Sequence, residues 1–596
     1  MTTTDPQSFR DLNKNGRLDP YEDPRQPIDA RIADLIGNMS LAEKAGLMFH
    51  TMAGVPGPRG GPPSLAAAEQ LLDSRGMSHF NVHQLPPPRE AAEWHNDLQA
   101  HAGVTRLGIP ITVSSDPRHS FQRNVLTSAA AGAFSLWPEP IGLAALGDPA
   151  LVEEFANMAR QEYVAVGIRV ALHPMADLAT EPRWGRIGGT FGEDAELAAR
   201  LIAAYVRGFQ GPSLGPTSVA CMTKHFPGGG PQKDGEDPHF AYGKEQIYPG
   251  GNFDYHLVPF QAAFAAGTAQ IMPYYGVPVG VGLEEVGFAF NRKVITGLLR
   301  GKYGFDGVVC TDWALLTDHT LGGELMEARA WGVEHLSVEE RALKALDAGV
   351  DQFGGEACPE VLVRLVEGGR LPEARLDVSV RRLLRDKFRL GLFDDPYVDP
   401  DAAERVVGNP RFRAAGELAQ RRSLVLLKNS AGESGRLLPL RGRPRLYVEG
   451  VAPESARAYG EVVASPEQAD VAILRLGAPF EAREGFFRFI HSGSLSFPED
   501  EKRRVLAVLR AVPTVVDVYL ERPAVVPEIA AECAALLGSF GSSDEALLDV
   551  VFGKESPAGR LPFELPSSDE AVLRQAPDLP RDSANPLYPF GFGLSY

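Results

Sequence analysis

The chain has 596 residues and a formal net charge of −18, from 59 Lys and Arg against 77 Asp and Glu. It is too long for one hydrophobic core, and its acidity excludes nucleic acid and anionic lipid as natural partners. Hydrophobic residues make up 44% and charged residues 23%, the balance of a globular protein.

The first segment, DLNKNGRLDPYE from Asp11 to Glu22, fits the calcium-loop pattern D-x-[DN]-x-[DN]-G-x5-E within an N-terminal extension of residues 1–27. Asp11, Asn13 and Asn15 would supply side-chain oxygens and Arg17 a backbone carbonyl. Asp19 would hold the often water-mediated position, Glu22 would close the site, and Gly16 allows the sharp turn. A structural calcium ion is the expected occupant. The competing reading is a polar turn, because Pro20 lies inside the motif, Pro24 follows it and no clear helix precedes it. MTTTDPQSF has neither the basic nor the apolar region of a signal peptide, and no apolar run approaches the ~18 residues of a membrane span, so a cytoplasmic protein is expected.

Residues 28–395 alternate short apolar runs with amphipathic stretches. The runs ITVSSD (111–116), IRVALHPMADL (168–178), SVACMTKHF (218–226), AQIMPYY (269–275) and GVVCTDW (307–313) read as strands covered on both faces. Helices are expected at 149–167 and 194–211. Repeated units of this size predict an α/β fold whose first part is a (β/α)8 TIM-like barrel. Asp116, Lys224, His225, Tyr275 and Asp312 fall at strand ends, where barrel active sites form. Residues 396–410, rich in Pro, Asp and Gly, read as a linker. Beyond it, 411–596 carries strand-like runs at 423–429, 470–476, 513–520 and 534–540, predicting a smaller α/β (αβα) sandwich. Cys221, Cys310, Cys358 and Cys533 are scattered without a CxxC pair, so buried free thiols are expected.

Six stretches converge on one resemblance. EPRWGRIGGTFGED (181–194), TKHFPGGG (223–230), IMPYYG (271–276), GFDGVVCTDW (304–313), GRLPFELP (559–566) and YPFGFGLSY (588–596) resemble glycoside hydrolase family 3, in that family's order and across both parts of the chain. The family's fibronectin-like third domain would follow the last stretch, and the chain stops at Tyr596. The resemblance implies hydrolysis by double displacement with net retention, from two carboxyl groups about 5–5.5 Å apart. It implies Asp312 as nucleophile, Lys224, His225, Arg186 and Asp116 as hydroxyl-binding groups, Tyr275 as a phenol donating to the nucleophile, and Trp313 as an apolar face for a sugar ring. No organic cofactor is implied.

The acid/base is less clear. The resemblance puts it on a second-domain loop, GAPFEAREGFFRFIHSGSLSF (477–497), which offers Glu481, the favoured candidate, and Glu484, with Phe480, Phe486 and Phe487 as apolar neighbours. A departure from the family pattern offers another: KHFPGGGPQKDGEDPHF partly resembles the N-acetylglucosaminidase branch, whose Asp–His dyad would fall on Asp237 and His239, two residues beyond that branch's spacing. The leading expectation is a retaining, exo-acting β-glycosidase of β-glucosidase type. The rivals are a β-xylosidase, a β-N-acetylglucosaminidase or phosphorylase using the Asp237–His239 pair, and a carbohydrate-binding protein on an inactivated scaffold. The expected partner is a carbohydrate or glycoside, and self-association is left open.

Overall fold

The computed structural model describes residues 9–54, 62–122, 126–321, 324–430 and 435–596. Eight parallel strands form the first sheet: β1 (Phe49–Met52), β2 (His79–Asn81), β3 (Thr112–Ser115), β4 (Ile168–Ala171), β5 (Ala220–Phe226), β6 (Gln270–Pro273), β7 (Val308–Val309) and β8 (Phe353–Gly354). They pair in the order β8–β1–β2–β3–β4–β5–β6–β7, and a parallel bridge between Cys310 and Gln352 joins the two ends into a closed barrel. β3, β4 and β5 are buried throughout, as expected of strands with side chains inside the barrel on one face and helices on the other. β1, β2 and β8 escape the sequence pattern because His50, His79 and Asn81 interrupt their apolar runs and β8 has only two residues.

The two helices read from periodicity form as Pro149–Ala165 and Ala195–Gln210. Asp148 caps the first, accepting from the Ala150 and Leu151 N–H groups, and Pro149 takes the first-turn position where its missing donor costs nothing. Asp194 caps the second through the Leu197 N–H.

The second sheet contains β9 (Val425–Asn429), β10 (Arg445–Glu449), β11 (Glu461–Val462), β12 (Val471–Gly477), β13 (Thr514–Tyr519) and β14 (Ala535–Ser539), in the order β9–β14–β13–β12–β10–β11. Only β9 runs antiparallel to its neighbour. Alternation along the strands makes two faces. Ile473 and Val515 pack with Leu547 and Val551, whereas Ala472, Leu474 and Val516 pack with Val505 and Ile529 in the core that continues into the barrel. The result is a three-layer sandwich. β10 and β11 were not read from the sequence, since Arg445, Glu449 and Glu461 mask their short apolar content.

The segment 396–410 is not slack. It carries the helix Pro400–Val406, capped by Asp399 and packed on the barrel helices Pro88–Val104 and Pro149–Ala165. Arg522, buried in the second domain, donates to the Arg183 carbonyl of the barrel at 2.7 Å and to the Pro479 carbonyl at 2.5 Å. All four cysteines are free, but Cys358 is half-buried rather than buried. Among the described residues no helix is long and apolar enough to cross a membrane.

Candidate active site

The C-terminal ends of the strands surround a cavity of about 360 Å³, within the range of small-ligand pockets. Asp116, Arg186, Lys224, His225, His239, Tyr275, Asp312 and Trp313 all line it.

Asp116 directly follows β3. Its Oδ1 accepts from Lys224 Nζ at 3.1 Å and its Oδ2 from Asn81 Nδ2 at 3.1 Å, with His83 Nε2 at 3.5 Å. Burial alone would raise this carboxyl, but Lys224, His83 and the Asn81 amide outweigh it and hold the group below its ordinary value. Asp116 thus pairs with Lys224 rather than with Arg186. The Lys224–His225 peptide bond is cis.

His225 is fixed by Asp177, a residue the sequence reading passed over. Asp177 Oδ2 lies 2.6 Å from His225 Nδ1, and its Oδ1 accepts the backbone N–H groups of His225 (3.1 Å) and Gly229 (2.6 Å). Burial drives the imidazole well below its usual value and lifts the Asp177 carboxyl to about 6, against the pull of Arg186 and the two N–H donors. His225 is therefore neutral at pH 7, with Nε2 3.8 Å from Asp312 Oδ2.

Asp312 stands three residues past the end of β7. Its Oδ1 accepts the Trp313 N–H at 2.8 Å, while its Oδ2 is buried and makes no hydrogen bond. Arg186 likewise keeps Nε and Nη1 buried and unpartnered. Burial would lower its guanidinium, but Tyr274, Asp237, Asp312 and Asp177 outweigh that and hold it above its ordinary value. Unsatisfied buried groups of this kind cost about 1–3 kcal/mol each, and ligand hydroxyls arriving between them would remove that cost.

Tyr275, expected to donate to the Asp312 carboxylate, lies close enough for that carboxylate to act on its phenol. Its Oη donates to the Trp313 carbonyl at 2.8 Å, and Arg329 Nη1 donates to the same oxygen at 3.2 Å. Burial, reinforced by the Asp312 charge, keeps the phenol protonated. The Trp313 ring lies against Gly354 and Gly355, where a Cβ would come within 2.8 and 2.6 Å of it, so both positions require glycine. His50 meets the ring edge-on at 5.3 Å.

The three acid/base candidates separate. His239 lines the cavity, and Asp237 Oδ1 holds its Nδ1 at 2.6 Å and its N–H at 3.0 Å. Asp237 Oδ2 in turn accepts from Trp184 Nε1 at 3.0 Å and from Tyr274 Oη at 3.3 Å. Despite burial, His239 and Arg186 hold the Asp237 carboxyl ionised. Burial lowers the His239 imidazole, and Asp237 opposes this only in part. Glu481 and Glu484 are exposed and do not line the cavity. Glu481 Oε1 instead accepts the Ser494 N–H at 3.1 Å. Phe480 stacks on His491 with centroids 3.7 Å apart, and the side chains of Phe486 and Phe487 lie outside the described residues. The loop reaches the barrel through Arg483, whose Nη1 and Nη2 donate to Glu236 at 2.9 and 2.6 Å.

The segment Asp11–Glu22 lies at the opposite end of the barrel, where Leu12 packs on Gly108 and the Tyr21 hydroxyl donates to the Leu107 carbonyl ahead of β3.

Of the functional groups the sequence reading missed, Asp177 sat inside a quoted strand, Trp184 inside PRWGR and Tyr274 inside PYY. Asn81, His83 and Arg329 carried no local signal.

Carboxylates alternating with cations and imidazoles at these distances suit a ligand that presents hydroxyls on several sides, and the architecture is that of a carbohydrate-active barrel enzyme. Comparison with known proteins agrees. The profile of the glycosyl hydrolase family 3 N-terminal domain matches residues 69–385, and that of its C-terminal domain matches 452–596. The chain belongs to glycosyl hydrolase family 3. It is 52% identical to β-glucosidase C of Emericella nidulans, over 98% of this chain and 95% of that one. It is 45% identical to the periplasmic β-glucosidase/β-xylosidase of Dickeya chrysanthemi, over 100% and 94%. Among solved structures, a β-glucosidase from Erythrobacter marinus superposes with a TM-score of 0.77 at 23% identity, covering 96% of this chain and 84% of that one.

Proposed function

We propose that the protein is a retaining, exo-acting β-glucosidase that works through a covalent glycosyl-enzyme on Asp312. The observation that carries this reading is the unpartnered Asp312 Oδ2 on the charged, buried floor of a cavity in a chain half identical to named β-glucosidases. Asp312 attacks the anomeric carbon, the aglycone leaves with a proton from the acid, and water releases the sugar with the configuration retained. Asp116, Lys224, Arg186 and His225 bind the hydroxyls of the cleaved sugar. A neutral His225 donates or accepts without adding charge beside the nucleophile, and the Asp116–Lys224 pair presents both an acceptor and a donor.

His239, oriented by Asp237, is the acid/base the geometry favours, because of the three candidates it alone lines the cavity with Asp312. Nitrophenol release from β-glucoside, β-xyloside and β-N-acetylglucosaminide, with and without phosphate, tests the reading. Preferred glucoside cleavage giving β-glucose as the first product is expected. α-Glucose or glucose 1-phosphate as first product overturns it.

We also propose calcium as a structural clip in Asp11–Glu22. Supporting this, the Asn13 and Asn15 amides converge on Asp19 Oδ2 at 2.5 and 2.6 Å, and Gly16 adopts φ +75° at the position where the motif requires glycine. Presenting oxygen there requires the amides to turn and give up the Asn15 and Arg17 backbone N–H groups that their Oδ1 atoms accept. Among the described residues no group of three His, Cys, Asp or Glu side chains could hold a metal, so the site would depend on the asparagine oxygens and the Arg17 carbonyl.

A further inference from the structure

The active-site cavity changes character from floor to mouth. Its floor is charged and buried: Asp116, Arg186, Lys224, His225 and Asp312 are each less than a tenth exposed. Its mouth is lined by half-exposed side chains of the opposite kind, namely Met52, Pro63, Leu71, Leu126, Trp313 and Ala357. The polar side chains at that level are Thr51, His319 and Thr320. Burial, with Arg329 nearby, lowers His319 to about 4, so it is uncharged at neutral pH. His83, the remaining half-buried group, is turned toward Asp116 and belongs to the floor. Arg329 also lines the cavity, but it is buried and spends its guanidinium on the His239 and Trp313 carbonyls. No Asp, Glu or Lys stands among the mouth residues described.

A subsite for a second sugar needs convergent donors and acceptors to replace the water that its hydroxyls lose. Among the described residues the mouth offers two threonines and a neutral histidine for that purpose, against six apolar side chains. From this contrast we infer that the leaving-group side of the cavity is built for an apolar aglycone, an alkyl or aryl alcohol, rather than for another sugar. The inference rests on the β-glucosidase reading of the floor and adds the substrate class. The floor binds the glycone through charge-assisted hydrogen bonds. The mouth then adds affinity for the departing group in proportion to the apolar area it covers.

Alkyl β-glucosides provide the test, because their leaving groups differ little in acidity while their apolar area grows stepwise. kcat/KM should rise from methyl through butyl and hexyl to octyl glucoside, by about twofold to fourfold per methylene until the wall is covered. Cellobiose should fall below the hexyl compound. The double substitution Met52→Gln, Leu71→Gln should flatten the slope of the series, and the slope is the quantity read. A flat series in the wild-type protein, or cellobiose cleaved faster than octyl glucoside, overturns the inference. If no glucoside is cleaved, the β-glucosidase reading falls, and the mouth is still read by calorimetry on the Asp312→Asn protein below the micelle concentration. Octyl glucoside binding at least tenfold tighter than methyl glucoside supports the apolar subsite, and equal affinities overturn it.

Discussion

The barrel and the second domain build their shares of the active-site region by opposite means. On the barrel side most of the chemistry-bearing groups have a buried partner that fixes them: Lys224 on Asp116, Asp177 on His225, Trp184 and Tyr274 on Asp237. On the second-domain side, the loop 477–497 docks on the barrel through the half-buried ion pair Arg483–Glu236, through Ile490 packed against Phe240 and Met326, and through the carbonyls that Arg522 gathers. Its carboxylates, Glu481 and Glu484, are left exposed. Groups on strand ends inherit their positions from the sheet, whereas a loop must assemble its own anchors. On this comparison the proposed covalent chemistry belongs to the barrel, and the loop packs beside it.

The largest expected effect tests the barrel side. Asp312→Asn removes the charge of the proposed nucleophile while keeping its shape and the hydrogen bond from the Trp313 N–H. kcat on nitrophenyl β-glucoside should fall on the order of 10³-fold or more, about 4 kcal/mol of transition-state stabilisation. The circular dichroism spectrum should be unchanged. Activity within tenfold of wild type would remove Asp312 from the mechanism.

Next in size is the choice of acid, which sets the two regions directly against each other. His239→Ala should slow an alkyl glucoside by about 10²–10⁴-fold and largely spare a dinitrophenyl glucoside, which leaves without protonation. Azide should restore turnover by attacking the glycosyl-enzyme. The pH dependence follows in sign. His239 must be protonated to act as acid, and burial sets its pKa below 6.5. kcat/KM for the alkyl substrate should therefore fall as pH rises through the lowered pKa of His239, and the His239→Ala protein should lack this limb. If Glu481→Ala shows the leaving-group selectivity and the azide response instead, the loop supplies the acid and the division between the regions is wrong.

How much of this was legible in the sequence follows the same divide. Asp312, Lys224, His225 and Asp116 could be read because each ends an apolar run, and strand geometry carries such a residue to the mouth. Asp177 sits in the same kind of run, but its role depends on touching His225, 48 positions away, and no local pattern reports that contact. β1 and β2 were missed for a related reason: His50 and Asn81 make polar contacts inside the barrel, His50 with Ser114 and Asn81 with Asp116, so their strands do not look apolar. The loop could be located, but its residues could not be ranked. Nearness to the strand end favoured Glu481, and only three-dimensional placement distinguishes it from His239.

A smaller effect sharpens the role of the floor. Asp116→Ala removes one acceptor and leaves Lys224 buried with its cation uncompensated. Charge-assisted hydrogen bonds of this kind contribute about 1.5–3 kcal/mol, so kcat/KM should fall about 10–100-fold, mainly in kcat if the bonds tighten as the ring distorts. Asp116→Asn keeps an acceptor and should recover part of the loss. If Asp116→Ala instead lowers thermal stability while its folded fraction shows normal kinetics, the carboxylate serves Lys224 and not the sugar.

The smallest expected effect lies farthest from the chemistry. The Asp11–Glu22 loop is already closed by its own hydrogen bonds: Glu22 Oε1 accepts the Leu12 N–H at 2.7 Å, and Asp11 Oδ2 accepts the Gly16 N–H at 2.9 Å. Calcium would add to a formed turn rather than create one, so its binding should be weak. At a concentration ten times the Kd, ligand binding stabilises by RT ln 11, about 1.4 kcal/mol. Spread over a unit as large as the barrel, that corresponds to about 1–2 °C in Tm. Excess calcium against a chelator should produce a shift of that size, and Asp11→Ala should abolish it. kcat should not change, because the loop packs beside Leu107 and Gly108 at the entrance to β3, whereas Asp116 leaves the far end of the same strand. Equal melting temperatures in calcium and chelator would show that the turn stands without the ion. A change in kcat would show that the two ends of the barrel are coupled, which nothing in the packing between them requires.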